Sequence, residues 1–188
     1  MRSALVARRS RVGGDDRARW SAAIEAHLTA TAAWSRAEAV AVFVGVGDEL
    51  DTGPVLRAAL AAGKRLWLPR VASATELEFV DVDDLDGLVP ARFGLLEPPA
   101  SMPGVALSQT GVDLVVLPGL AFGTDGSRLG YGRGYYDRAI GGLATPRPTC
   151  IGLCYAAFLD PDEGAIPMGE HDRRVDAVVT ERGVTHRG

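Results

Sequence analysis

Apolar residues recur at helical spacing between Asp15 and Ala33, where Trp20, Ala23, Ile24 and Leu28 share one face, and this predicts a helix. The pattern then shortens. Ala39 to Val44 is a compact apolar run that predicts a strand, and Gly45 to Thr52 follows as a polar loop. Asp51 or Thr52 can cap a second helix running from Pro54 to Ala62 and ending at Gly63. Arg65 to Val71 and Leu77 to Val82 predict two further strands. Asp83 to Thr110 is a long irregular segment rich in Pro, Gly and Asp, of the kind that forms lids or pocket walls. Leu114 to Leu117 is wholly apolar and β-branched, as in a strand buried on both faces. Tyr135 to Ile140 predicts a helix, Thr149 to Tyr155 and Val175 to Glu181 predict strands, and the last residues are expected to fray.

Strands alternating with helical segments imply an α/β fold: a single layered domain over residues 1–188, with a mixed or mostly parallel sheet and helices on both faces. No internal repeat or linker marks a second domain. Ligands in such sheets sit outside the carboxyl ends of the strands.

The chemistry concentrates between strand and helix. Pro118-Gly119 ends the Leu114–Leu117 run, and Thr124-Asp125-Gly126-Ser127 is turn chemistry. Arg128-Leu129-Gly130-Tyr131-Gly132-Arg133-Gly134 then places glycine at every second position. Such spacing lets successive backbone N–H groups line one concavity that suits an anion. A helix start adds unpaired N–H groups, and Arg128 and Arg133 add charge in the forked geometry that fits phosphate. Asp137, in the first turn, is placed to hold a magnesium ion bridging phosphates. The P-loop pattern is absent, and the dinucleotide fingerprint would need glycine where Tyr135 stands. On these residues alone, the run is either a phosphate site or a glycine-rich surface turn with incidental arginines.

Composition narrows the partners. The formal net charge is −4, which argues against general nucleic-acid binding. All but Lys64 of the 20 basic residues are arginine. No apolar stretch nears the ~18 residues of a membrane span, and the arginine-rich start lacks the apolar core of a secretory signal. Cys150 and Cys154 lie on one expected strand, ~13 Å apart at ~3.3 Å per residue, too far for a disulfide. They are expected to be small core residues in a reducing compartment, which suits a cytoplasmic protein.

The segment LPGLAFGTDGSRLGYGRGYYDR closely resembles the signature of the 5-formyltetrahydrofolate cyclo-ligases, roughly PGxxFxxxGxRLGxGxGYYD. Further matches follow in family order: Gly47-Asp48-Glu49-Leu50-Asp51-Thr52, Leu68-Pro69-Arg70, Gly94-Leu95-Leu96-Glu97-Pro98, and Glu170-His171-Asp172-Arg173-Arg174-Val175-Asp176. The resemblance spans almost the whole chain. It implies an ATP- and magnesium-dependent ligase that converts 5-formyltetrahydrofolate to 5,10-methenyltetrahydrofolate, acting as a monomer or weak dimer.

By the same resemblance, ATP is expected at Arg2, Arg128, Leu129, Gly130, Tyr131, Gly132, Arg133, Gly134, Tyr135 and Tyr136, with Arg128, Arg133 and Tyr136 catalytic. The folate is expected at Val44, Glu49, Leu77, Phe93 and Tyr135, and magnesium at Asp137 and Asp172. Arg70 is open to two readings, a phosphate contact or a partner for a loop acid. His171 is expected to be a spacer rather than a ligand. Two departures stand out. Family members usually begin with K-x-x-x-R; here Arg2 takes the arginine's place and the lysine falls before Met1. One lost charge-assisted contact costs ~1.5–3 kcal/mol. Tyr131 stands where some members have arginine. A relative acting on another formylated amine, and a non-catalytic folate or nucleotide binding module, remain as alternatives.

Overall fold

The computed structural model describes residues 1–91, 94 and 96–188. Helices α1 (Arg2–Arg9), α2 (Gly14–Thr29) and α3 (Ala32–Arg36) precede strand β1 (Ala39–Val42). The single helix expected over Asp15 to Ala33 is therefore two. The break falls at Thr31, whose hydroxyl accepts the Trp34 N–H at 3.1 Å and caps α3. Helix α4 (Gly53–Ala61) leads to the hairpin β2 (Arg65–Val71) and β3 (Leu77–Val82). Among its described residues the irregular segment carries a short ladder, β4 (Val89–Pro90) with β5 (Leu96–Glu97), and a 3-10 turn at Leu107–Gln109. Next come β6 (Leu114–Leu117), the small hairpin β7 (Ala121–Phe122) and β8 (Arg128–Leu129), and α5 (Tyr135–Gly141). The chain closes with β9 (Thr149–Leu153), β10 (Ala177–Thr180) and β11 (Gly183–His186).

Seven strands form one sheet in the order β11-β10-β9-β6-β1-β2-β3. From β10 through β2 the neighbours are parallel, and each edge strand, β11 and β3, runs antiparallel to its neighbour. Every residue of β1, β6 and β10 is buried, as strands covered on both faces require. The C-terminal segment does not fray: β11 pairs with all of β10 through the tight turn at Gly183, where φ is 138°.

The order of the strands locates the site. From β1 the chain crosses through α4 to β2 on one side; from β6 it crosses through α5 to β9 on the other. Right-handed crossovers in opposite directions put α4 and α5 on opposite faces. Helix α2 packs beside α4 and across β10, while α5 lies against β3. The adjacent carboxyl ends of β1 and β6 are thus a topological switch point, where a crevice opens.

Candidate active site

The loop after β1 is pinned before it reaches Glu49. The buried Thr52 hydroxyl donates to the Phe43 carbonyl at 2.8 Å and accepts the Gly45 N–H at 2.9 Å. A Cβ at Gly45 would lie 1.9 Å from the Leu50 carbonyl oxygen, so only glycine lets the loop fold back this closely. Glu49 N–H donates to Val46 O at 2.9 Å, and Val46 N–H donates to Glu49 Oε2 at 3.3 Å. The carboxylate is thereby aimed by its own turn.

Its other oxygen accepts the Tyr131 hydroxyl, and Arg9 Nη2 lies 3.8 Å from it. Arg9 also donates to the Tyr131 hydroxyl and stacks over the ring at 5.4 Å. Burial, and then the hydrogen bond to Glu49, push the Tyr131 phenol up to about 12, so it stays protonated and remains the donor. Arg9, Phe43, Glu49, Pro118, Gly119 and Cys154 are among the residues lining the crevice at the ends of β1, β6 and β9, a cavity of about 20 Å³.

The glycine-rich loop lies beside the crevice, joined to it by the Tyr131–Glu49 hydrogen bond. Gly132 and Gly134 hold positive φ, 91° and 66°, with Arg133 between them. Among the described residues, nothing accepts a hydrogen bond from the N–H groups of Tyr131, Gly132, Arg133 or Gly134. Four consecutive unpaired donors with this alternation make an anion nest. Arg133 is exposed beside it. Arg2 Nε donates to Gly130 O at 3.0 Å, which brings the first turn of α1 to the loop. Beneath it, Arg128 is buried, pairs with Asp137 at 2.7 Å, and lies 5.9 Å from the Tyr136 ring centroid. Burial raises the Tyr136 phenol well above its ordinary range. Tyr135 hydroxyl donates to Ser73 O at 3.2 Å and Arg138 Nε to Thr75 O at 2.6 Å, docking α5 on the turn of the β2–β3 hairpin.

A model of the 5-formyltetrahydrofolate cyclo-ligase family matches residues 1–181. The chain belongs to that family. The 5-formyltetrahydrofolate cyclo-ligase of Mus musculus is 28% identical over 189 residues, spanning 96% of this chain and 92% of the relative. Its counterpart in Escherichia coli strain K12 is 34% identical over 146 residues, spanning 77% and 78%. The solved structure of Aquifex aeolicus 5,10-methenyltetrahydrofolate synthetase is similar at a TM-score of 0.82 and 27% identity, over 99% of this chain and 90% of its own.

Magnesium is the expectation at Asp137 and Asp172. Asp137 Oδ2 holds Arg128 while Oδ1 accepts the Arg173 N–H at 3.1 Å. Since Arg173 follows Asp172, this bond brings the C-terminal motif against the first turn of α5. Asp172 accepts the Gly169 N–H at 2.7 Å, and His171 beside it is exposed. Among the described residues, no three His, Cys, Asp or Glu side chains cluster as a metal site. Magnesium does not need such a cage, because it keeps several waters and takes one or two carboxylates with substrate phosphates. Asp137, in the first turn of α5 after the nest, fits that mode, while the Asp172 carboxylate is turned toward the Gly169 N–H.

The remaining expectations fall differently. Val44 lies two residues beyond β1, half-buried against the core, and Leu77 opens β3 in a similar setting. Phe93 lies outside the described residues. The Leu129 side chain is buried in the core, so only its backbone faces the loop's chemistry. Arg70 pairs with an acid, but one on a strand rather than a loop: it meets Glu78 of β3 at 2.8 Å and donates to Met102 O at 2.9 Å, tying the 98–102 segment to β2. Arg9 was not expected. The signal for it was its place four residues after Leu5, on the same helical face, in a segment whose single apolar anchor is too little to predict α1.

Proposed function

We propose that this chain converts 5-formyltetrahydrofolate to 5,10-methenyltetrahydrofolate while ATP is cleaved to ADP and phosphate. The observation that carries this reading is that an unpaired amide nest and an aimed carboxylate are joined at the switch point through the Tyr131 hydroxyl. The nest of Tyr131 to Gly134, with Arg2 and Arg133, binds the ATP phosphates. Glu49 accepts hydrogen bonds from the pterin's amino and ring N–H groups. Val44 and Leu77 supply apolar walls. A crevice of about 20 Å³ holds roughly one water, so it must widen to admit a pterin.

A formamide is a weak electrophile because its nitrogen donates into the carbonyl. Transfer of the γ-phosphoryl group to the formyl oxygen turns that oxygen into a leaving group. N10 then attacks the formyl carbon, the carbon–oxygen bond breaks, phosphate departs, and the N10 proton is lost. The chain supplies no covalent nucleophile. It orients the two substrates and neutralises charge on the transferred group. Arg133 sits at the nest to meet that charge. Tyr136, held protonated by burial, serves as a neutral donor. Arg128 acts from below by fixing the loop against Asp137. Asp137 and Asp172 would hold magnesium, which shields the phosphate charges when bound.

The whole chain serves as one catalytic domain, a monomer or weak dimer in the cytoplasm. Its net charge of −4 suits small substrates rather than nucleic acid, and no helix among the described residues is long and apolar enough to cross a membrane. Turnover tests the reading: the purified protein with 5-formyltetrahydrofolate and Mg-ATP should build the near-UV absorbance of the methenyl product. Product that forms equally well without ATP, or no product at all, contradicts it.

A further inference from the structure

We propose that Arg9 is a positioning residue for the folate-binding carboxylate, its guanidinium fixing Glu49 and Tyr131 as one unit at the crevice mouth. The inference rests on the reading of Glu49 as the group that meets the pterin. Arg9 is 9% exposed, the last residue of α1, and it lines the crevice. The polar and cation–π partners of its side chain among the described residues are the Tyr131 hydroxyl and ring and the Glu49 carboxylate. Its Nε is buried without a hydrogen-bond partner. A guanidinium kept merely to dock a helix would spend its donors on backbone carbonyls.

The neighbouring side chains already do the docking. Leu5 is fully buried. Arg8 pairs with Glu163 at 3.1 Å, donates to Ala157 O, and lies 4.7 Å from the Phe158 ring centroid. Burying a second arginine two contacts deep in the site is costly unless its charge is used. Its use is geometric. Val46 N–H holds Glu49 Oε2, and the Arg9–Tyr131 pair holds Oε1, so the carboxylate plane is set before the substrate arrives. Lysine in the same place would keep the charge but lose the planar fork that serves two acceptors.

Steady-state kinetics with 5-formyltetrahydrofolate and Mg-ATP test this, on wild type, Arg9→Met, Arg9→Lys, Glu49→Gln and the double variant Arg9→Met/Glu49→Gln. Arg9→Met is expected to raise the KM for 5-formyltetrahydrofolate about tenfold, with kcat and the KM for ATP within about twofold of wild type. Arg9→Lys should recover part of that loss. Because Arg9 acts through Glu49, the double variant should bind the folate no worse than Glu49→Gln alone. An unchanged folate KM in Arg9→Met, a loss confined to kcat or to ATP, or two losses that multiply would each overturn the proposal; the last would mean that Arg9 meets the substrate itself. If Arg9→Met fails to fold, as judged by its melting transition, the same comparison is made with Arg9→Lys and Arg9→Lys/Glu49→Gln. Inactive wild type removes the functional reading and this inference together, whereas active wild type with an unaltered Arg9 variant removes this inference alone.

Discussion

Arg128 and Asp137 form a 2.7 Å ion pair across the glycine-rich loop, with side chains only 5% and 17% exposed. The pair closes the loop from β8 to the first turn of α5, so two residues expected to face the nucleotide also hold each other. Removing one partner strands a buried charge, which typically costs about 3–5 kcal/mol. Arg128→Met should therefore lower stability by roughly that amount. Replacing both, in Arg128→Met/Asp137→Leu, should regain much of the stability and still leave the protein inactive. Urea unfolding alongside turnover separates the two effects. A stable, active double variant would show that the pair serves neither the loop nor the nucleotide.

The loop before Glu49 is held by Thr52, which is 1% exposed and makes hydrogen bonds at 2.8 and 2.9 Å. Thr52→Val keeps the shape and strands the part-buried Gly45 N–H and the buried Phe43 carbonyl, the latter at a cost of about 1–3 kcal/mol. Gly45→Ala drives a methyl group into the Leu50 carbonyl and must displace the loop. Both variants should raise the KM for 5-formyltetrahydrofolate more than the KM for ATP. Equal effects on the two substrates would mean that the loop does not belong to the folate side.

Asp125 anchors the turn that begins the β8 arm of the small hairpin. Hydrogen bonds from Ser127, then Arg174, hold its carboxyl at about 2, below the ordinary 3.8. A depressed acid stabilises the fold at pH values above its unfolded pKa, and that stability is lost as pH falls through the folded value. The difference in stability between wild type and Asp125→Asn should be constant from pH 7 to about 5 and should shrink between about 4 and 2. The side chain is 60% exposed, so salt should weaken the effect as well. Chemical denaturation of both proteins across pH measures it, and a difference that grows on acidification would contradict this role.

Cys150 and Cys154 are both buried, and burial pushes the Cys150 thiol up to about 11 and that of Cys154 higher. Neither should react with a thiol reagent at pH 8 in the native protein, and both should react in denaturant. Rapid labelling of either thiol in the native state would place it at the surface.

The sheet was legible where hydrophobic runs were short and uninterrupted: β2 and β3 have the bounds that the pattern predicts, and β6 is the apolar run itself. The elements that the pattern missed depend on partners distant in sequence. Helix α1 has one buried apolar residue and is held by Arg2 at Gly130, Arg8 at Glu163 and Arg9 at Tyr131. Strand β11 exists because β10 offers it an edge. The same divide runs through the site. Glycine spacing announced the nest, because backbone conformation is encoded locally. Beyond its spacing from Leu5, nothing local distinguishes Arg9 from Arg8 or Arg11, nor reveals that Arg128 would spend its charge on Asp137. Those facts appear only when α1 and α5 reach the crevice.

Isotope transfer tests the central claim most directly. 5-Formyltetrahydrofolate carrying ¹⁸O in its formyl group is incubated with the wild-type protein and Mg-ATP, and the released phosphate is analysed by mass spectrometry as methenyl absorbance grows. Phosphoryl transfer to the formyl oxygen predicts one labelled oxygen in each phosphate, with phosphate and methenyl product formed in equal amounts. Unlabelled phosphate, or ATP cleavage without ring closure, would contradict it.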